Sequence, residues 1–184
     1  GFLNIHPSLL PKYRGPSPIQ TAILNGERET GVTIMVVDEE IDHGKILSSI
    51  KYQVSNDKNY KGIEADLAGL GAKLLIEILS EYINGNIQPI EQIHERATYT
   101  KLLTREDGRI DWNKSALEIY DQIRALNPEP GAWTTWKGKV INIKKAGLAD
   151  GKINIQTIQI ESKKEMDFQE FFNGHPDFTI SELN

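Results

Sequence analysis

Apolar residues open the chain at Phe2, Leu3 and Ile5 and stop at Pro7, which predicts a buried strand ending near His6. Ser17-Pro18 predicts a helix start, because serine caps and proline suits the first helical position. That helix would run over 20–25 and stop at Gly26. Val32 to Val37 is rich in β-branched residues and predicts a second buried strand. After the acidic turn Asp38-Glu39-Glu40, Ile46 to Val54 predicts a third. Ile63, Leu67, Leu70, Leu74, Leu75, Ile78, Leu79 and Tyr82 then recur at three- and four-residue spacing, the stripe of a long amphipathic helix that Asn84-Gly85-Asn86 ends. Core packing is the expected use of that stripe, with a partner-binding face as the alternative.

The pattern changes at 88–104, which lacks clear periodicity and reads as a linker. Ser115-Ala116-Leu117-Glu118 is a capping box opening a helix through Arg124 and Ala125, with Pro128 beyond its end. Short strands follow at Ala132 to Trp136, Lys139 to Lys144 and Ile153 to Ile160, the first two joined by a tight Lys137-Gly138 turn. Asp167 to Phe172 predicts a short helix. The expected organisation is an open α/β domain over 1–87, a linker over 88–104, and a small β-barrel over 105–184.

Composition narrows the class. The 184 residues are 39% hydrophobic and 26% charged, with net charge −5, which fits a globular chain and excludes a disordered one. No apolar run approaches the length of a bilayer span and no signal-peptide pattern opens the chain. Cysteine is absent, so disulfide and thiolate chemistry are excluded, in keeping with a cytoplasmic protein. The four histidines lack metal-ligand spacing, so no metal is expected. Gly1 lies directly inside a strand-like run, which reads as the start of a fragment.

Candidate chemistry sits at the end of the first strand. Residues two apart share a strand face, so Asn4 and His6 project together. An amide that can polarise a carbonyl beside a group that titrates near neutrality suits acyl transfer. Alone, the pair would read as a turn asparagine and a packed histidine. Asp42, in Ile41-Asp42-His43-Gly44, would alone read as a turn carboxylate.

Asn4-Ile5-His6-Pro7-Ser8-Leu9-Leu10-Pro11, Arg14-Gly15-Pro16-Ser17-Pro18-Ile19-Gln20, Glu29-Thr30-Gly31-Val32-Thr33-Ile34-Met35 and Ile41-Asp42-His43-Gly44 together resemble the folate-dependent formyltransferases. Among these the strings are most similar to the methionyl-tRNA formyltransferases. The resemblance implies the second half of a Rossmann-like formyltransferase domain followed by a shortened OB-like β-barrel. It also implies roughly another hundred residues before Gly1, so that this stretch alone would be inactive. The implied reaction moves a formyl group from 10-formyltetrahydrofolate, a co-substrate, to the amine of initiator Met-tRNA in the cytoplasm, by a monomeric enzyme.

Asn4 would donate to the oxyanion, His6 would handle the proton, and Asp42 would orient His6. Ser8, Leu9, Leu10 and Pro11 would wall the folate pocket. Gly15 would serve loop geometry, and Arg14 reads equally as an anion contact or a solvated side chain. His43 reads as a surface turn residue. Between Trp133 and Lys164, seven lysines face two acids, and Lys137, Lys139, Lys144 and Lys145 are candidate tRNA contacts. Trp112, Trp133 and Trp136 can stack on bases or fill the barrel. A sugar-nucleotide amine or a purine precursor is the alternative acceptor, and a non-catalytic RNA-binding remnant is the alternative of another class.

Overall fold

The computed structural model describes residues 1–178 and divides into two compact units, Gly1–Leu102 and Leu103–Asn184. In the first unit, β1 (Leu3–His6), β2 (Glu29–Val36) and β3 (Ile46–Gln53) form an antiparallel sheet in that order. The central strand β2 is covered on one face by the helix over 60–83 and on the other by the Ser8–Leu10 segment, which suits a run buried on both faces. Val32, Ile34 and Met35 are all buried. β1 pairs along one side with β2, and Phe2 and Ile5 are more exposed than a buried strand would leave them.

Helix α1 (Pro18–Leu24) ends where Gly26 turns with positive φ and its N–H reaches the Ile23 carbonyl. Ser17 precedes it without a side-chain cap; it is buried and donates its backbone N–H to Thr100 Oγ1. Helix α2 (Tyr60–Ile83) starts at Asn59, whose side chain accepts the Gly62 N–H. It covers one sheet face with Ile63, Leu67, Leu74 and Ile78, a narrower line than the sequence stripe. Gly71 lies in that line because Ile5 packs against its bare backbone: a Cβ there would lie 2.5 Å from Ile5 Cγ2. The opposite face of β1 therefore carries Asn4 and His6.

The segment read as a linker differs from expectation over most of its length. Ile90 and Ile46 exchange backbone hydrogen bonds at 2.8 Å, Arg14 bridges Tyr99, and Gln92 is buried. These contacts are fixed by side chains and backbone from far upstream, so no local periodicity announces them. The division between units falls at Leu102 and Leu103.

In the second unit α3 (Ala116–Leu126) opens with the expected capping box: Ser115 Oγ accepts the Glu118 N–H and the Glu118 carboxylate accepts the Ser115 N–H. The strands β4 (Ala132–Trp136), β5 (Lys139–Ala149), β6 (Lys152–Ile160) and β7 (Glu165–Asp167) form an antiparallel meander in sequence order. The domain expected as a shortened barrel is a small sheet, open among the described strands, and the outer edge of β4 meets the backbone at Arg109 and Ile110. Strand β5 continues past Lys144 through bulges around Lys145, which break the alternation the sequence pattern relies on. The two-residue hairpin turns Lys137-Gly138 and Asp150-Gly151 carry positive φ at both positions, as such hairpins prefer.

The core of this unit gathers Ile119, Ile123, Ile141, Ile143, Ile158 and Trp136, with α4 (Phe168–Gly174) contributing Phe171.

Candidate active site

Strand alternation places Asn4 and His6 on one face of β1, and a turn with positive φ at Asp42 (49°) swings that carboxylate onto them. Asn4 Nδ2 donates to Asp42 Oδ1 at 3.3 Å, and His6 Nδ1 lies 3.5 Å from the same oxygen. The other carboxylate oxygen accepts the Gly15 backbone N–H at 2.7 Å. The structure thus brings together residues separated by up to 38 positions around one carboxylate.

His6 is 4% exposed, and its Nε2 contacts the Tyr13 carbonyl at 2.9 Å. A carbonyl only accepts, so Nε2 carries the proton. Nδ1 then lies on the side of the Asp42 carboxylate. Tyr13 itself has positive φ, 61°, and its N–H donates to Thr98 Oγ1, so its carbonyl is fixed from both sides of the loop.

A second layer, which sequence reading missed, lies behind Asp42. Gln92 Nε2 donates to the carbonyls of Asp42 (2.9 Å) and Gly44 (2.7 Å). Its Oε1 accepts from Arg14 Nε and Nη2 at 3.2 and 2.6 Å. Arg14 is 1% exposed, which replaces the solvated loop arginine allowed by the sequence with a buried one. Its other partners are Tyr99 OH at 3.2 Å and His94 Nδ1 at 2.9 Å. Gln92 sits in a polar stretch without motif or period, so nothing in the sequence marks it.

His43 stacks on His94 with ring centroids 4.1 Å apart and contacts Asp38 Oδ2 at 2.7 Å. That hydrogen bond, ahead of smaller effects, holds the Asp38 carboxyl below the usual carboxylate range. His43 points to Asp38 and Glu40, and it is a turn residue as expected.

Of the four candidate folate-pocket residues, Ser8 and Leu10 are buried supports. Ser8 Oγ donates to the Lys12 carbonyl at 2.6 Å, and Thr33 Oγ1 bridges the Ser8 carbonyl and the Leu10 N–H. Leu9 and Pro11 line an open recess with Lys12, Tyr13, Glu27 and Arg96. A second recess of about 380 Å³ lies on the α2 side of β1, between Ile5, Pro7, Ile19, Tyr60 and Leu67.

Among the candidate tRNA lysines, Lys137 pairs with Asp177 and Lys144 with Glu165, while Lys139 and Lys145 are exposed. Trp136 is buried against Phe171 and Phe178, and Trp112 donates to Thr134 Oγ1 inside the same core. Trp133 occupies the other sheet face, with the Arg105 and Arg109 guanidiniums 5.3 and 5.7 Å from its ring. Two of the three tryptophans are therefore packing residues. Among the described residues no cluster of three or more His, Asp or Glu is placed to hold a metal ion, and no helix is long and apolar enough to cross a membrane.

Comparison with known proteins agrees with this architecture. The sequence model for the formyl transferase domain matches residues 1–79, and that for the formyl transferase C-terminal domain matches 102–152. The methionyl-tRNA formyltransferase of Roseiflexus castenholzii is 51% identical over 143 residues, covering 78% of this chain and 46% of that protein. That of Caldanaerobacter subterraneus is 36% identical over 205 residues, covering 98% and 66%. The chain spans about half the length of the first curated relatives it matches.

Among solved structures, methionyl-tRNA formyltransferase from Clostridium thermocellum superposes with TM-score 0.68 at 24% identity, over 86% of this chain and 67% of that one. An N-formyltransferase from Helicobacter canadensis, in complex with folinic acid and dTDP-3-aminofucose, gives 0.68 at 26% identity, over 81% and 55%. The two domain matches, in the order and at the positions of the two structural units, place the chain in the formyl transferase family.

Proposed function

We propose that this chain carries the reacting groups of an enzyme that moves a formyl group from 10-formyltetrahydrofolate to the amine of initiator Met-tRNA, in the cytoplasm where translation begins. The observation that carries this proposal is the convergence of Asn4, His6 and Gly15 on the Asp42 carboxylate. The similarity to methionyl-tRNA formyltransferases supports the choice of acceptor.

The amine attacks the formyl carbon, a C–N bond forms, and the carbonyl oxygen becomes an oxyanion. Asn4 spends one N–H on Asp42 and keeps a second to donate to that oxygen. His6, with Nε2 tied to the Tyr13 carbonyl, has Nδ1 beside Asp42 to exchange a proton with the reacting centre, and Asp42 orients the ring. As the tetrahedral centre collapses, the bond to folate N10 breaks. The proton lost by the attacking amine ends on that nitrogen, with His6 as the relay. Leu9 and Pro11 supply accessible apolar surface for the folate ring, with Ser8 and Leu10 holding that loop from beneath. Lys139 and Lys145, with Lys137 and Lys144 beside them, provide positive charge toward a phosphate backbone. The protein acts as a monomer.

A sugar-nucleotide amine is the second reading, favoured by the likeness to the Helicobacter canadensis enzyme. The deciding experiment offers charged initiator tRNA and an amino-sugar nucleotide in parallel, with 10-formyltetrahydrofolate, to the gene's full-length product and its His6→Ala variant. Formylation of tRNA that the variant loses supports the proposal. Formylation of the sugar alone moves the function to the second reading. No transfer to either acceptor, with RNA binding retained, marks a binding remnant.

A further inference from the structure

We propose that Gln92 is a positioning residue that holds Asp42 in register with Asn4 and His6, and that Arg14 locks Gln92 in the orientation this requires. This rests on the formyl-transfer reading of the Asn4, His6 and Asp42 cluster.

Gln92 is 4% exposed and uses both ends of its amide. Its nitrogen donates to the carbonyls of Asp42 and Gly44, 2.9 and 2.7 Å away, and its oxygen accepts two N–H groups of Arg14. A flipped amide would set oxygen against two carbonyls and N–H against a guanidinium, so one orientation alone satisfies all four contacts. The segment it grips lies 48 to 50 positions upstream and has Asp42 in the left-handed region. Such a backbone persists where its surroundings over-determine it. Two restraints hold the far side: the Lys45 carbonyl accepts the Val36 N–H, and Gly44 sits so close that a Cβ would lie 1.9 Å from the Val36 oxygen.

The carboxylate is the moving end of this assembly. Without the amide clamp the Asp42 backbone loses the Gln92 donor, and its carboxylate can rotate away from Gly15, Asn4 and His6. A misplacement of about 1 Å at a reacting centre costs roughly 10²-fold in rate. Arg14 is buried and makes its hydrogen bonds with Gln92, Tyr99 and His94, so it orients the glutamine instead of pairing with the Asp42 carboxylate.

Gln92→Glu separates the two roles: a carboxylate keeps an acceptor for Arg14 but turns oxygen toward both carbonyls. Amide hydrogen exchange on the chain reports the result without any substrate. Gly15, whose N–H is held by Asp42, should lose protection about tenfold or more, while amides in the centre of β2 keep theirs. If β2 also opens, Gln92→Met, apolar and of similar volume, repeats the reading.

In the active enzyme kcat should fall about 10- to 100-fold with KM within about twofold. In an Asp42→Asn background Gln92→Glu should add less than about twofold, because it acts through Asp42. Unchanged Gly15 protection in a folded variant, or losses that multiply across the two sites, would overturn the proposal. A wild-type enzyme that formylates nothing would sink the assigned function, and the exchange measurement would still decide whether Gln92 positions Asp42.

Discussion

Gly15 donates its backbone N–H to Asp42 Oδ2 at 2.7 Å, and it can do so because its φ of +104° turns that N–H toward the carboxylate. Few side chains tolerate this backbone, and a Cβ here would lie 2.8 Å from the Thr100 carbonyl oxygen. Gly15→Ala is expected to cost about 1–3 kcal/mol. A urea titration that leaves the midpoint unmoved would count against this account of the loop.

Asn4→Ala removes the amide that faces the reacting centre and leaves the strand intact, since its neighbours in β1 still pair with β2. Formyl transfer by the full-length enzyme should fall about 10²–10³-fold, the usual cost of one lost oxyanion donor. A drop confined to KM would assign Asn4 to substrate binding instead.

Arg14→Lys should not rescue. A single ammonium cannot meet Gln92, Tyr99 and His94 together as the planar guanidinium does. Leaving the buried Gln92 oxygen short of a partner should lower stability by about 1–3 kcal/mol. Equal thermal stability of wild type and variant would show that the fork geometry is not needed.

Tyr60 gives a pH prediction of definite sign. Burial, followed by its hydrogen bond to the Glu64 carboxylate, pushes its phenol up to about 12, against an ordinary value of 10.0. The native state holds this proton after the unfolded chain has released it. The contribution is therefore fully present below pH 10 and is lost as pH rises toward about 12. Tyr60→Phe should flatten that part of the stability curve, which denaturation midpoints at neutral and alkaline pH will measure.

Ser115→Ala should cost the second unit about 1 kcal/mol, because it removes the acceptor of the Glu118 N–H at the start of α3. Hydrogen exchange should show the loss in α3 and spare α2.

The sequence by itself determined the elements whose causes are local. The β2 run, the α2 stripe, the Ser115 cap and the Lys137-Gly138 turn are each written within a few residues, where period, caps and turn chemistry act. Asn4 and His6 were legible as a pair for the same reason, since alternation along one strand fixes their common face. The linker expectation, the end of β5, the fate of Trp133 and the role of Arg14 were not. A bulge cancels the alternation, and an arginine's burial depends on acceptors 78 to 85 positions away. Only the tertiary structure decided that Gln92 reaches Asp42, because a buried amide's partners are set by which distant backbone carbonyls the fold leaves unpaired.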